Sequence, residues 1–256
     1  MIDIFLKKDN YNFDSKILEP KDNLFSKFWP GGVQGKLNVK VSRKLMQIAD
    51  GIIQSLKLDV EPKDIIVTGS ITSYNWHERS DIDLHILYDF EEINEDYDLV
   101  KSVLDQTRIN WNKRHNITIA GKEVELYFQH AYEPHQSNGI WSLELEKWLA
   151  MPVKLDPKID LLTTQKKAES IAQCINHLEK LMVNNKNREA YEYSRKIKNK
   201  ISRMRQSGLD REGIYSPENL AFKMLRNSGY LEKLSAMKIR SYDKIMSLNF
   251  ESTNKE

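Results

Sequence analysis

The stretch from Asp64 to Phe90, DIIVTGSITSYNWHERSDIDLHILYDF, decides the fold. Ile65, Ile66 and Val67 form a short run of branched apolar residues that stops at Gly69-Ser70, the pattern of a strand running into a turn. A polar loop continues to Ser80. Ile82 to Tyr88, IDLHILY, alternates and is rich in branched and aromatic residues, so it reads as a second strand. Side chains at i and i+2 of a strand project to one side. Asp81 and Asp83 therefore point together, with Ile82 opposite them in the apolar interior. Two carboxylates ~4 Å apart repel by about 4 kcal/mol at an effective dielectric of ~20. Either one of them holds a proton with a raised pKa, or a divalent cation sits between them. Mg²⁺ takes oxygen ligands, typically one or two carboxylates plus substrate phosphates, and paired aspartates on a strand edge suit a two-metal centre.

A third carboxylate is expected from a neighbouring strand. Residues 122–130, KEVELYFQH, offer Glu125 between apolar Val124 and Leu126, and a glutamate so placed must face something polar. Glu123, two residues earlier, shares that side and is the fallback. ITI at 117–119 reads as a further strand joined to 122–130 at Ala120-Gly121.

Outward from this centre the period changes. Leu37, Val41, Leu45, Ile48, Ile52 and Leu56 step by three or four and predict a helix over about 38–58, closed off by Pro62. The acidic run at 89–98 opens a helix carrying Val100, Val103, Leu104, Ile109 and Trp111, its charges favoured by the helix dipole. Beyond Pro152 the pattern is helical throughout. One apolar stripe runs through Ile171, Ile175, Leu178 and Met182. A second takes Ala190, Tyr193, Ile197, Ile201 and Met204, and the last takes Leu231, Leu234, Met237, Ile245 and Leu248. Between these lies a helix with both ends written in sequence: Ser216 as N-cap, Pro217 at the first helical position and Gly229 as C-terminal cap. The expectation is an α+β fold, a small mixed sheet packed on helices and followed by an all-helical region. Residues 1–36 form an irregular N-terminal segment, 37–152 the sheet-bearing domain and 153–256 the helical domain.

Gly-Ser, a loop, then Ser-Asp-Ile-Asp-Leu, then a later strand with Glu between apolar residues resembles the DNA polymerase β-like nucleotidyltransferase superfamily. Gly69, Ser70, Asp81, Asp83 and Glu125 match that motif position by position. The resemblance implies that Asp81 and Asp83 hold the divalent metals (Mg²⁺ or Mn²⁺) that grip a nucleoside triphosphate. Glu125 would complete the metal site and help activate the attacking hydroxyl, and Gly69 and Ser70, with Ser80 at the end of the loop, would contact the triphosphate. The flanking stretches FWPGGVQGKLNVKVSRKLMQIADGII and RMRQSGLDREGIYSPENLAFKMLRNSGYLEKL are similar to stand-alone nucleotidyltransferases that bacteriophages often encode. That likeness names no acceptor. A nucleic-acid 3′ end is the favoured one, because of the basic helical half. A protein side chain, a small molecule or a second nucleotide are the rivals within the enzyme class, and a non-catalytic nucleic-acid-binding module is the alternative outside it.

Several residues carry two readings. The loop from Ile71 to Arg79 has no glycine, and its Tyr74, Asn75, Trp76 and His77 either stack on a base or acceptor or, through Trp76, pin the loop to the core. His85 continues the face of Asp81 and Asp83 as a site contact or a satisfied strand histidine. Trp141 and Trp148 pack between the two halves or offer a nucleobase platform. In the basic run, Lys196, Lys200 and Arg203 share one flank of their helix, while Arg195, Lys198 and Arg205 lie towards the other, with Arg211 further on. This is either a solvated amphipathic helix or a surface whose Lys196 and Lys200 hold the phosphates of a triphosphate or nucleic acid.

Composition bounds the rest. The 256 residues include 39 Lys+Arg against 37 Asp+Glu, a net charge of +2 that excludes a strongly cationic protein but not a local basic face. One cysteine, Cys174, excludes a disulfide framework and a Cys-rich zinc site, and six scattered histidines lack HExxH spacing. No apolar run approaches the ~20 residues of a membrane helix, and the apolar stretch in MIDIFLKKDN is too short for a signal peptide. A cytoplasmic location is the expectation; no heptad pattern speaks to oligomeric state.

Overall fold

A computed structural model describes Tyr11, residues 13–135 and residues 137–248. The sequence reading of MIDIFLKKDN therefore lies outside the described residues. The chain divides into two compact units, one running from Glu19 to Asp156 and the other combining residues up to Leu18 with those from Pro157 onward.

The first unit is built on a six-stranded mixed sheet. Its strands are β1 (Asp64–Thr68), β2 (Ile82–Tyr88), β3 (Thr118–Ile119), β4 (Lys122–His130), β5 (Ile140–Ser142) and β6 (Lys147–Ala150), in spatial order β3-β4-β2-β1-β5-β6. β2 and β4 run parallel and every other neighbouring pair is antiparallel. A parallel pair needs a crossover, and the chain supplies one with α2 (Phe90–Ile93) and α3 (Tyr97–Arg114) between the two strands. The turn between β3 and β4 is two residues long. Ala120 and Gly121 both have positive φ, the geometry that matches the strands' own twist. All five residues of β1 are buried, which explains its continuous apolar run.

α1 (Val39–Leu56) presents Val41, Leu45, Ala49 and Ile52 to the core. That core also takes Ile65, Val67, Ile82, Leu84, Ile86, Val124 and Leu126 from the sheet. Residues 19–36 have little regular structure, yet Leu24, Phe25, Phe28 and Trp29 are among its buried members. Trp29 meets Trp148 at 4.4 Å and Trp141 at 5.2 Å between ring centres. The indole N–H of Trp29 donates to Ile71 O at 3.1 Å, and that of Trp148 donates to Val33 O at 3.0 Å. Trp141 and Trp148 thus pack inside the sheet-bearing unit, against a segment read from sequence as merely irregular.

The second unit contains α4 (Leu161–Val183), α5 (Asn187–Glu212), α6 (Pro217–Asn227) and α7 (Tyr230–Met246). Its core draws on Ile171, Ile175, Leu178, Ala190, Ile197, Ile201, Leu220, Met224, Leu234 and Met237, with Phe13 and Leu18 added from the N-terminal side. Ser216 accepts from Asn219 N–H as the N-cap of α6, and Gly229 closes it in the left-handed region. The stripe on α7 stops short of its expected end, for Leu248 is exposed. Among the described residues, no helix is long and apolar enough to cross a membrane.

Candidate active site

The register of the parallel pair sets the site. Asp83 on β2 stands directly across from Glu125 on β4, with Ile82 opposite Val124 and Leu84 opposite Leu126. The apolar neighbours of both acids are buried, so the acids emerge together on the other face of the sheet. Asp81 joins them from the residue just before β2. The three carboxylates are half-buried, and one ligand oxygen from each lies within 4.8 Å of the others. Glu123, the fallback, pairs with Thr118 and is exposed, outside this cluster.

Three carboxylates at such separations are repulsive without a cation. Their donor set is oxygen only, rigid along two adjacent strands and open on one side, which fits a hard divalent ion better than a soft one. Asp81, Asp83 and Glu125 are the residues that could hold it.

Gly69 has φ 84° and ψ −159°, a region that side chains avoid. A Cβ at this position would overlap Asp83 Oδ2. The glycine thus admits the carboxylate against the main chain. Its own N–H donates to Ser137 Oγ at 3.2 Å. After it, Ser70–Thr72 make one 3-10 turn. Ser70 Oγ and Ser80 Oγ are 2.7 Å apart, and Ser80 Oγ also accepts from His77 N–H at 2.9 Å. The two expected phosphate-contacting serines therefore meet each other across the base of the loop. Thr72 Oγ1 lies 2.9 Å from Gly69 O and 2.7 Å from Gly139 O, and a Cβ on Gly139 would overlap Thr72 O. These contacts fix the Gly69 turn from the far side.

The loop from Ile71 to Arg79 is anchored, not free. Trp76 donates its indole N–H to Asn23 O at 2.8 Å and packs on Phe25, 5.1 Å between ring centres. Lys122 is buried at 3% exposure and donates to His77 O at 2.8 Å and to Glu78 O at 2.6 Å. Burial lowers its pKa, but two carbonyls and the Phe25 ring receive the ammonium. Of the two readings of Trp76, the structure favours the pin.

Three further residues shape the site without having been singled out in sequence. Tyr127 follows Glu125 by two positions on the same face, and its hydroxyl donates to Glu125 Oε2 at 2.6 Å. Burial first, then that bond and the nearby carboxylates, push the Tyr127 pKa far above its ordinary value, so it is a permanent donor. Arg108 of α3 lies over the ring at 5.2 Å. Asn112 of α3 clamps the backbone next to Glu125. It accepts from Leu126 N–H at 2.9 Å and donates to Leu126 O at 3.0 Å, in the manner of an extra strand. The i+2 spacing from Glu125 was the available signal for Tyr127. Asn112 and Ser137 carried none, because their partners are distant in sequence.

His85 stacks on Tyr127 at 4.8 Å between ring centres, and its Nδ1 is 2.8 Å from Gln129 Oε1. Burial holds its pKa at about 4, so the ring is neutral near pH 7 and donates from Nδ1 to the amide oxygen. It is a satisfied strand histidine that backs Tyr127. Lys196 and Lys200 stand exposed on α5 of the helical unit.

Residues 49–136 match the nucleotidyltransferase domain family. The matched stretch runs from within α1 past β4 and includes Gly69, Ser70, Asp81, Asp83 and Glu125. Over that stretch the match is consistent with a nucleotidyltransferase domain of the polymerase β-like kind and supports a transferase with a nucleotide substrate. Comparison with curated proteins and with solved structures gives no match.

Proposed function

We propose that this domain transfers a nucleoside monophosphate from an NTP to an acceptor hydroxyl and releases pyrophosphate, with a nucleic-acid 3′ end as the acceptor. The observation that carries the reading is the convergence of Asp81, Asp83 and Glu125, with ligand oxygens within 4.8 Å, beside the Gly69-Ser70 turn. In the step, an acceptor oxygen forms a bond to the α-phosphorus. The bond from that phosphorus to the bridging oxygen of the β-phosphate breaks, and pyrophosphate takes the electron pair. Mg²⁺ or Mn²⁺ held by the three carboxylates would offset charge on the attacking and leaving oxygens.

The chain's own residues orient and deprotonate. Tyr127 fixes Glu125 through Oε2, which leaves Oε1 to take the acceptor proton. Ser70 and Ser80 supply hydroxyls, and the turn after Gly69 supplies main-chain donors for the triphosphate. Lys196 and Lys200, exposed on the helical unit, would offer positive charge to the phosphates of a nucleic acid. The test is incubation of the pure protein with each α-labelled NTP, Mg²⁺ or Mn²⁺, and a mixture of RNA, DNA, protein and metabolites. Label in the nucleic-acid fraction, with stoichiometric pyrophosphate and loss of both in Asp83→Asn, is the expected result. Label in protein or metabolites would move the acceptor, and absence of pyrophosphate from every mixture would refute transfer.

A further inference from the structure

Across the sheet of the first unit the functional groups stand in a row. β1 ends at the Gly69-Ser70 turn, its neighbour β2 carries Asp83, and the next strand, β4, carries Glu125 and Tyr127. Leu126 gives both its N–H and its C=O to the side chain of Asn112. Those two groups of one strand residue point to the same edge, so α3 holds the edge of β4 that faces away from β2. Arg108 stands four residues before Asn112, one turn back on the same face of α3. Its guanidinium carbon lies 5.2 Å from the centre of the Tyr127 ring, which His85 stacks on from the β2 side. The row therefore runs from the turn through the carboxylates to Tyr127 and ends in a cation.

The Arg108 side chain is 26% exposed. Its Nε donates to Asp105 Oδ1 at 3.3 Å, a pair within one helix whose carboxylate is half in water, and such pairs contribute little. Among the described residues, neither terminal nitrogen of the guanidinium has a hydrogen-bond or ion-pair partner. Glu125 is not its partner, since Glu125 Oε2 is taken by the Tyr127 hydroxyl. The ring and the Nε bond hold the plane of the guanidinium, and the edge they leave is the fork that matches phosphate oxygens two at a time. A phosphate brought close to three carboxylates is repelled by them, and a cation on the approach offsets that repulsion.

We propose that Arg108 is an acceptor-binding residue, its terminal nitrogens gripping the backbone phosphate next to the acceptor's terminal hydroxyl. The inference rests on the transfer reading and gives the side of the site from which the acceptor enters. With the triphosphate at the Gly69-Ser70 turn, on the β1 side of Asp83, the hydroxyl reaches Glu125 from the other side, where Tyr127 and Arg108 stand. A cation there favours an anionic acceptor over an uncharged one. It holds a phosphate, so it positions the strand without reading its bases.

The experiment measures acceptor binding without turnover. The full chain, with Mg²⁺ and no NTP, is titrated with two fluorescent single-stranded RNAs that end in a 3′ hydroxyl, read by anisotropy. One has an ordinary backbone; in the other the last linkage is an uncharged methylphosphonate. Wild type should prefer the ordinary RNA by about tenfold, the scale of a hydrogen bond to a charged group. Arg108→Gln should bind both alike. A structural role alone would lower both affinities together and keep the preference, which would overturn the contact, as would a wild type that binds the two RNAs equally or not at all. Binding of an NTP analogue with a methylene α,β-bridge should be the same in both proteins; its loss in Arg108→Gln, with the RNA preference intact, would move Arg108 to the triphosphate and overturn the proposal. Should Arg108→Gln fail to fold, Arg108→Lys takes its place, keeping the charge without the fork, and a preference equal to that of wild type counts against the contact. Pyrophosphate release from NTP is measured separately. A preference held by Arg108 without release keeps the phosphate contact and refutes transfer, and release without a preference does the reverse.

Discussion

Asp83 Oδ2 occupies the space where a side chain on Gly69 would begin. One residue therefore decides whether the central aspartate can lie against the turn. Gly69→Ala should fail twice over, by forcing a backbone region that side chains avoid and by displacing Asp83. The backbone term alone is about 1–3 kcal/mol. A lowered melting temperature together with lost Mn²⁺-dependent NTP binding is expected; a variant with wild-type metal response would contradict the close approach.

Asp81→Asn and Asp83→Asn test the metal site directly, since each removes a ligand charge at nearly constant size and should keep the fold. Both should lose the rise in melting temperature that Mg²⁺ and NTP produce. An unchanged rise in both variants would remove these carboxylates from the metal site.

Tyr127→Phe separates positioning from fold. The ring and its packing on His85 remain, while the 2.6 Å bond to Glu125 is lost. Outer-shell partners of metal ligands are worth about 10–100-fold in metal affinity. Mn²⁺ binding followed by calorimetry should weaken on that scale, with the melting temperature of the metal-free protein little changed. Equal Mn²⁺ affinity in the two proteins would reduce Tyr127 to a packing residue.

Asn112→Leu tests the clamp on β4. It leaves the N–H and C=O of Leu126 without their side-chain partner, at a cost of about 1–3 kcal/mol for each group that water does not reach. Chemical denaturation should report that loss, and hydrogen exchange should localise it to the Leu126 amide. Exchange at Leu126 as slow as in wild type would rule out the clamp.

The sheet-bearing half was legible where the residues carried a period or a fixed chemistry. β1, β2 and β4 were announced by branched and aromatic runs, α1 by its stripe, and Asp81, Asp83 and Glu125 by alternation on strands. β5 and β6 were not, because three and four residues are too few for alternation to register. The contribution of Leu24, Phe25, Phe28 and Trp29 to the core was equally hidden, since a segment without regular backbone has no periodicity to read. At the site, motif spacing brought out the acids, while Asn112 and Ser137 depend on contacts that only the folded chain creates. On α5 the sequence separated two basic flanks, but could not show that Arg205 would be drawn onto Asn219 and Phe222 of α6.

The crossover between β2 and β4 also orders events in time. Asp81 and Asp83 precede Glu125 in the chain, with the whole of α3 intervening, so a growing polypeptide can pair β1 with β2 long before its third carboxylate exists. Closing that long loop is a slower and costlier event than forming the local pair. The third acid consequently joins Asp81 and Asp83 only after β1 and β2 are free to settle their register. A nascent chain that stops within α3 would carry both aspartates and still lack the third carboxylate of the cluster.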